Sequence, residues 1–301
     1  MERTVSAAGP FSVLGTSGET HFSAEENVRY YYLRNPENLT KARPLLFVGY
    51  GLHEPDQDWD DFEGLDLNGK IVVMLAGAPT ETGEPVLPDE VHAKYSGIRG
   101  LSTKVMQMTD RSDSPAAVVV IADEDVLQAW ESLDTVLGST HHALKEPLPD
   151  QLHLLPFDLL VVQRSVGKAL LKGQPYDPLA SPDFDRRPNQ RDDLMDKSIS
   201  LELAYEDIDV QTCNVTGVIE GTDPAVSDQY VVLGAHLDHI APVGGQVANG
   251  ADDNASGSAG VLEIAEAIAM NPFRRPVIVA LWTGEEMGAL GSQFFLDHSP
   301  V

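Results

Sequence analysis

Residues 229–239 read QYVVLGAHLDH, and residues 276–286 read PVIVALWTGEE. Each stretch begins with a near-continuous apolar run, which is typical of a strand covered on both faces. Between them, from about Ser258, apolar side chains recur at helical spacing until Asn271 and Pro272 end the pattern. A strand, a helix and a second buried strand predict a right-handed crossover in a largely parallel sheet.

Polar side chains follow both of these strands. His236 and Asp238 come after the first strand, Glu285 and Glu286 come after the second, and residues 249–257 (NGADDNASG) precede the helix. Ligands of such sheets gather beyond the carboxyl ends of the strands, where carboxylates repel one another unless cations neutralise them. Imidazole with carboxylates suits zinc, and bridging carboxylates can hold two ions. The sequence therefore predicts a metal site at this edge of the sheet.

The first half of the chain has a different texture. From Phe11 to about Leu171, short apolar runs and helical periodicity alternate, which predicts a mixed α/β domain. The expected strands are 28–33, 44–48, 70–75, 116–121 and 157–162, and the expected helices are 98–108 and 126–137. Residues 172–196 are polar and rich in proline, a pattern typical of a boundary between domains. After this segment, residues 198–205 and 212–219 are predicted to be strands.

The charge and the apolar content of the chain exclude several classes of partner. Lysine and arginine together number 20 and aspartate and glutamate 47, so the net charge of −27 repels nucleic-acid backbones and anionic lipid surfaces. No apolar run approaches the roughly 20 residues of a membrane span, and the N-terminus lacks a signal-peptide pattern. We expect a soluble chain that is cytosolic or has lost its signal. The single cysteine, Cys213, excludes a disulfide scaffold and is expected to be a small buried thiol.

Three segments, taken as a set, resemble those of the M28 family of zinc peptidases. They are residues 236–238 (HLD), 250–257 (GADDNASG) and 283–292 (TGEEMGALGS), and the resemblance covers roughly residues 212–298. It implies a mostly parallel-sheet peptidase domain of the phosphorylase/hydrolase-like kind. It also implies two zinc ions, a peptide or protein substrate and aminopeptidase activity, in an enzyme that is secreted or periplasmic with its signal removed.

The first half of the chain is similar, more loosely, to the protease-associated domain that is often inserted in that family. The matching stretches are residues 46–51 (LFVGYG) and 64–73 (GLDLNGKIVV). The resemblance therefore implies an inserted domain with its linker at residues 1–197. Residues 198–301 would be the first part of the catalytic domain.

The resemblance also assigns roles to individual residues. His236 would bind one zinc ion, Glu286 would bind the second, and Asp253 would bridge both. Asp238 would hold the other ring nitrogen of His236 and so fix its orientation. Glu285 would be the general base that takes a proton from the metal-activated water and passes it to the leaving amine.

The sequence departs from the family pattern after the glutamate pair. A further aspartate ligand and a further histidine ligand are expected downstream, but only residues 287–301 follow. Asp297 and His298 are expected to be surface residues on a helix that leaves the site. His239 matches no role and is expected to be structural, and Asp252 is not chosen as a ligand. We therefore expect a central fragment of a longer enzyme that by itself binds zinc weakly and has no peptidase activity.

Other functions stay open at this point. A natural truncation would be a non-catalytic protein that recognises peptides or other proteins through its inserted domain. The resembling superfamily also contains carboxypeptidases and single-zinc glutaminyl cyclases, which keep the fold and change the chemistry. The inserted domain and the pair of glutamates favour a peptidase among these alternatives.

Overall fold

Strands and helices alternate through most of the chain. The computed structural model describes residues 2–16, 18–31, 39, 43–81, 83–137, 140–142, 144, 155–172, 192–194, 196–240 and 247–299. The strands are β1 (Glu2–Ala7), β2 (Phe11–Gly15), β3 (Gly18–Phe22), β4 (Val28–Tyr31), β5 (Leu45–Phe47), β6 (His53–Glu54), β7 (Trp59–Asp60), β8 (Ile71–Leu75), β9 (Thr80–Glu81), β10 (Glu84–Pro85), β11 (Ala117–Ile121), β12 (Thr140–His142), β13 (Asp158–Val162), β14 (Asp192–Asp193), β15 (Ser198–Ser200), β16 (Leu203–Ile208), β17 (Val215–Ile219), β18 (Val231–His236) and β19 (Val277–Trp282). The helices are α1 (Ala24–Asn27), α2 (Asp89–Lys94), α3 (Gly97–Thr109), α4 (Glu124–Gln128), α5 (Trp130–Leu137), α6 (Arg164–Leu171), α7 (Ser256–Met270) and α8 (Leu290–Asp297). No helix in these ranges is long and apolar enough to cross a membrane.

Contacts within the chain define two units. Residues 4–139 and 155–206 form the N-terminal unit, and residues 1–3, 140–154 and 207–301 form the C-terminal unit. The division after residue 206 lies beyond the predicted boundary after residue 197, because β15 pairs with β2 of the N-terminal unit. The assignment of residues 1–197 to a protease-associated domain stays a prediction.

The N-terminal unit is built around a six-stranded sheet with the order β14-β5-β8-β11-β13-β4. Its four central strands are parallel, and β4 and β14 pair with it antiparallel at the two edges. Side chains alternate between the faces, so Ile71 and Val73 join one buried cluster while Val72 and Met74 join another. The first cluster includes α6 and β2, and the second includes α3, α4 and α5. The predicted mixed α/β class is therefore confirmed for this unit.

Several predicted elements of this unit are confirmed and others are divided. The predicted strands at 44–48, 70–75, 116–121 and 157–162 correspond to β5, β8, β11 and β13, and the predicted helix at 98–108 corresponds to α3. The predicted strand at 28–33 is β4, and its last two residues lie outside the described ranges. The predicted helix at 126–137 is two helices, α4 and α5, because Ala129 leaves the helical conformation (φ −99°, ψ 13°).

The polar segment at 172–196 is only partly a linker. Residues 173–191 and 195 lie outside the described ranges, but Asp192 and Asp193 pair with Phe47 and Leu46 as the edge strand β14. The predicted strand at 198–205 is also divided, into β15 and the start of β16. The interruption falls at Leu201, which is buried and whose N–H donates to the carbonyl of Leu39.

The C-terminal unit contains the sheet β17-β19-β18. β18 runs parallel to β19 over six residue pairs, from Val231 opposite Val277 to His236 opposite Trp282. The helix α7 lies between these strands in the chain and ends before Asn271, as the sequence predicts. β17 pairs with β19 antiparallel, so this part of the sheet is mixed.

Two expectations about burial in this unit are wrong. Val277 of β19 is 2% exposed, but Val231 and Val232 of β18 are 47% and 50% exposed. Successive residues of a strand point to opposite faces of the sheet, so the exposure of both shows that β18 is not covered on both faces at this end. Cys213 is exposed rather than buried, because it lies in the segment that precedes β17, which begins at Val215 instead of residue 212.

Candidate metal centre

His236 is the last residue of β18 and lies at the carboxyl edge of the sheet. Its side chain is almost fully buried. The hydroxyl of Ser258, in the first turn of α7, donates a hydrogen bond of 2.8 Å to the His236 carbonyl and fixes the helix against the end of the strand. The position of the imidazole is therefore set by the strand that carries it and by the helix that follows.

The two ring nitrogens of His236 have different surroundings. Nδ1 lies 3.1 Å from the backbone carbonyl of Asp238, which can only accept, so Nδ1 carries the proton of that bond. Nε2 lies 3.0 Å from Asp253 Oδ1 and 3.8 Å from Glu285 Oε2. A neutral ring would turn its Nε2 lone pair towards two carboxylates, an arrangement that calls for a cation between them, either a proton or a metal ion.

The pKa of His236 agrees with this geometry. Burial by itself lowers the pKa, but the hydrogen bond to the Asp238 carbonyl raises it, as do the negative charges of Glu285 and Asp253. Together they outweigh burial, and the pKa of His236 lies above its ordinary value. The surroundings of Nε2 therefore favour positive charge at this point.

Asp238 contributes to the site in a different way from the expected one. Its carboxylate oxygen Oδ1 is 3.9 Å from His236 Nδ1, so the ring is held by the Asp238 carbonyl and not by its side chain. Oδ1 instead accepts a long hydrogen bond of 3.4 Å from the backbone N–H of Glu285. Oδ2 is shielded from solvent and has no hydrogen-bond partner among the residues that the structure describes.

Asp253 lies in the turn that leads into α7. Gly250 begins this turn with φ +60°, a left-handed conformation that glycine adopts without strain. The side chain of Asn254 accepts a hydrogen bond of 3.0 Å from the N–H of Gly257 and so caps the helix. Asp253 itself is 71% exposed, with Oδ1 directed at His236. Asp252 is also exposed, and its carbonyl accepts from the hydroxyl of Ser256.

Glu285 and Glu286 lie in the tight loop between β19 and α8. Gly284 enters this loop with φ +67°, and the N–H groups of Gly288 and Ala289 both donate to the carbonyl of Glu285. The two neighbouring side chains have different surroundings. The Glu286 carboxylate is 19% exposed, and its Oε1 lies 2.7 Å from His239 Nδ1. The Glu285 side chain is 43% exposed.

The loop and the turn bring three of the expected ligands together. One donor atom each from His236, Asp253 and Glu286 lies within 4.8 Å of the others. Donors around one tetrahedral zinc ion are roughly 3.4 Å apart, so small side-chain movements would close this cluster around an ion. In the described part of the chain, the ion pairs of these carboxylates and of Glu285 are with His236 and His239 only. The donor set and the unpartnered Asp238 Oδ2 therefore fit a divalent cation such as zinc.

Other residues considered from the sequence lie outside this cluster. Asp297 ends α8 and is exposed, as expected. His298 is exposed as well, and its ring stacks on Phe294 with a centroid distance of 4.1 Å. The contact between His239 and Glu286 is the feature that sequence reasoning missed. The available signal was that His239 follows Asp238 directly, at the same end of β18.

A cavity of about 860 Å³ lies beside the cluster, within the C-terminal unit. Asp238 and His239 form its wall on the side of the cluster. Leu290 and Phe294 of α8 line another part, together with Thr283 at the end of β19. The cavity therefore borders two neighbours of the candidate ligands, Asp238 and His239, rather than the ligands themselves.

Comparison with known proteins agrees with these motifs. Residues 214–301 match the model of Peptidase family M28. Leucine aminopeptidase 2 of Trichophyton equinum is 37% identical over 86 residues, which are 29% of this chain and 16% of that protein. The alkaline phosphatase isozyme conversion protein of Escherichia coli K12 is 33% identical over 95 residues, 28% of each chain. The matches thus span only a small part of these relatives.

Two solved structures are similar at low identity. The aminopeptidase from Aneurinibacillus sp. strain AM-1 is 15% identical with a TM-score of 0.34, covering 98% of this chain and 55% of that one. BSAP, a zinc aminopeptidase from Bacillus subtilis, is 14% identical with a TM-score of 0.32, covering 98% and 54%. This chain spans about half the length of both. Residues 214–301, which include His236, Asp253 and Glu286, are thus similar to peptidase family M28, and the relatives that they resemble include leucine aminopeptidases.

Proposed function

We propose that the full-length protein is a zinc-dependent aminopeptidase whose metal is bound by His236, Asp253 and Glu286. The observation that carries this proposal is the meeting of their donor atoms within 4.8 Å. They come from three separate elements, the end of β18, the turn before α7 and the loop after β19. Asp253 is the most exposed of the three and the one in contact with His236. By its resemblance to the family motif, it would be shared by two such ions.

Zinc bound by these residues supplies Lewis acidity towards water and towards the peptide carbonyl. His236 offers Nε2 to the ion while the Asp238 carbonyl holds the proton on Nδ1, which fixes the tautomer. Glu286 and Asp253 offer carboxylate oxygens, and their negative charge offsets that of the ion.

Glu285 is the residue that moves the proton in this proposal. Its carboxylate lies next to the cluster, 3.8 Å from His236 Nε2, but is not one of the three grouped donors. It is also more exposed than Glu286, so it can reach the attacking water and the substrate. One carboxylate oxygen of Glu285 would take the proton from the water and deliver it to the leaving amine.

The substrate end that fits this site is an unblocked N-terminus. A free α-amino group is largely protonated near neutral pH, with a pKa of about 7.7–8.0. The acidic side chains around the cluster attract such a cation. We further propose that the N-terminal unit is a protease-associated domain, since the two matching stretches lie at β5 and at β8 of its central sheet.

The test is hydrolysis by the full-length protein of one peptide with a free N-terminus and the same peptide with an acetylated one. We expect release of the first residue from the free peptide only, loss of this activity with a zinc chelator and its return with added zinc. The Glu285→Gln variant, purified in the same way, shows whether a contaminating peptidase contributes. Release from the C-terminus would indicate a carboxypeptidase, and cyclisation of an N-terminal glutamine a glutaminyl cyclase. Hydrolysis that persists without metal would overturn the proposal.

A further inference from the structure

We propose that His239 is a positioning residue that holds Glu286 in the orientation needed to bind the metal ion. This inference rests on the proposed function, because it gives His239 a task only if Glu286 is a ligand. The sequence predicts a structural role for His239, and no motif of the chain assigns it another one.

The first observation is the contact between the two side chains. His239 Nδ1 lies 2.7 Å from Glu286 Oε1, a short distance typical of a hydrogen bond to a carboxylate. Since a carboxylate only accepts, His239 donates, and Oε1 is engaged from the protein side. Oε2 is then the oxygen of Glu286 that remains free to face the ion. The hydrogen bond therefore restrains the Glu286 carboxylate through one of its two oxygens.

The second observation is the packing of the His239 ring against the turn that carries Asp253. A Cβ atom added to Gly250, where this turn begins, would lie 3.0 Å from Cγ and Cδ2 of His239. The ring therefore contacts the backbone on one side and donates to Glu286 at its edge. His239 thus links the turn of Asp253 to the loop of Glu286, two segments distant in the chain.

The third observation is the partial burial of the pair. Both side chains are mostly covered, at 25% exposed for His239 and 19% for Glu286, so water competes weakly for their hydrogen bond. The His239 ring also borders the cavity of about 860 Å³. A substitution at this position can therefore relax into open space rather than disturb the core.

The experiment compares three variants of the full-length protein. His239→Leu keeps an apolar side chain of similar bulk and removes the donor, and His239→Asn keeps an N–H close to the place of Nδ1. His298→Leu is the matched control, since it removes a histidine of the same unit that lies outside the cluster. Zinc affinity is measured by competition with a chromogenic zinc indicator, and kcat and KM are measured with zinc in excess.

We expect His239→Leu to weaken zinc binding by about 10–100-fold, the usual effect of losing a partner of a metal ligand. His239→Asn should recover most of this loss, and His298→Leu should bind zinc like the parent. With zinc in excess, kcat of His239→Leu should return towards that of the parent. A purely structural role would instead lower the melting temperature of the metal-free protein and leave the zinc affinity unchanged.

A double substitution keeps the inference falsifiable even if His239→Leu is less stable. If His239 acts through Glu286, adding His239→Leu to Glu286→Gln should weaken zinc binding little further. Additive losses, or parental zinc affinity in His239→Leu, would overturn the role of His239 while the metallopeptidase assignment stands. A parent protein that binds no zinc would overturn the metal centre itself, and His239 with it.

Discussion

His236 lies opposite Trp282 at the carboxyl ends of two parallel strands, β18 and β19. The N–H of Leu237 donates to the carbonyl of Trp282 at 2.8 Å, which extends the pairing one step beyond the strands. Because both strands end at the same edge of the sheet, the loop after β19 places Glu286 beside His236. The parallel pairing of β18 and β19 therefore brings the motif after each strand into the same cluster.

Changing Glu285 or Glu286 to glutamine in the full-length protein should impair different properties, turnover in the first case and zinc binding in the second. Glu285→Gln keeps the shape and leaves the proposed ligands intact, so zinc content should stay parental while kcat falls by ~10² or more, the usual cost of losing a positioned general base. Glu286→Gln replaces an anionic donor with a weaker neutral one, so metal occupancy should fall first and excess zinc should restore part of the activity. Metal analysis beside steady-state kinetics separates the two. The opposite pattern would mean that the roles are exchanged.

Asp253 and Asp252 form a second matched pair of neighbours. Asp253→Asn removes a carboxylate that faces His236 and should weaken zinc binding by more than the roughly 10–100-fold lost with an outer partner. Asp252→Asn makes the same chemical change one residue earlier, at an exposed side chain outside the cluster, and should leave zinc binding as it is. Titration of both variants with zinc checks this. Equal losses would show that the turn as a whole, rather than Asp253, matters.

The order of motifs along the chain is enough to predict that His236, Asp253 and Glu286 converge. Two of them follow strands that a helix connects, and the third precedes that helix, so the topology determines their meeting. The contacts of Asp238 and His239 could not be predicted in this way. They depend on side-chain rotamers and on the path of a tight turn, for which the sequence has no periodic signal.

Burial of β18 shows a second limit of sequence reasoning. An apolar run reports which side chains are able to pack, but it does not report which neighbours cover them. Val231 and Ile278 belong to runs of similar texture, yet the first is half exposed and the second is buried, because β19 is the middle strand of its sheet. The division of 126–137 into α4 and α5 could not be predicted either. The apolar residues keep their helical spacing across Ala129, although the backbone of this residue leaves the helical conformation.

Gly234 and Gly217 should respond oppositely to alanine, although both lie inside strands of the same sheet. A Cβ at Gly234 would come within 2.6 Å of the Trp282 indole, so Gly234→Ala forces this ring to move and should cost about 1–3 kcal/mol of stability. A Cβ at Gly217 meets nothing within 4 Å, so Gly217→Ala should be neutral or stabilise by roughly 0.5–1 kcal/mol. Urea unfolding followed by tryptophan fluorescence checks both. A tolerated Gly234→Ala would mean that β18 and β19 separate easily at this point.

Lys104 should make the free energy of unfolding of the N-terminal unit increase with pH between about 7 and 10.5. Its side chain is fully buried in α3, and Nζ donates to the carbonyls of Tyr50 and Leu75. Burial lowers the pKa of Lys104 from 10.5 to about 7, although Asp61 and Asp123 oppose the shift. The unfolded chain therefore binds more protons than the folded one between these two values. The free energy of unfolding rises with pH wherever the unfolded state binds more protons, by at most about 1.4 kcal/mol per pH unit for one group.

Lys104→Met tests this dependence. The variant should be less stable than the parent by about 1–3 kcal/mol for each carbonyl left without its donor. The difference should grow as pH increases from about 7 towards 10, because only the parent must release a proton from Lys104 on folding, and the free-energy cost of that release falls as the pH approaches 10.5. Lys168→Met, which removes an exposed lysine of α6, is the matched control and should follow the parent at every pH. The free energy of unfolding of all three proteins is measured by urea unfolding at several pH values. A constant difference between the parent and Lys104→Met would mean that Lys104 keeps its proton in the folded protein throughout, in conflict with its lowered pKa.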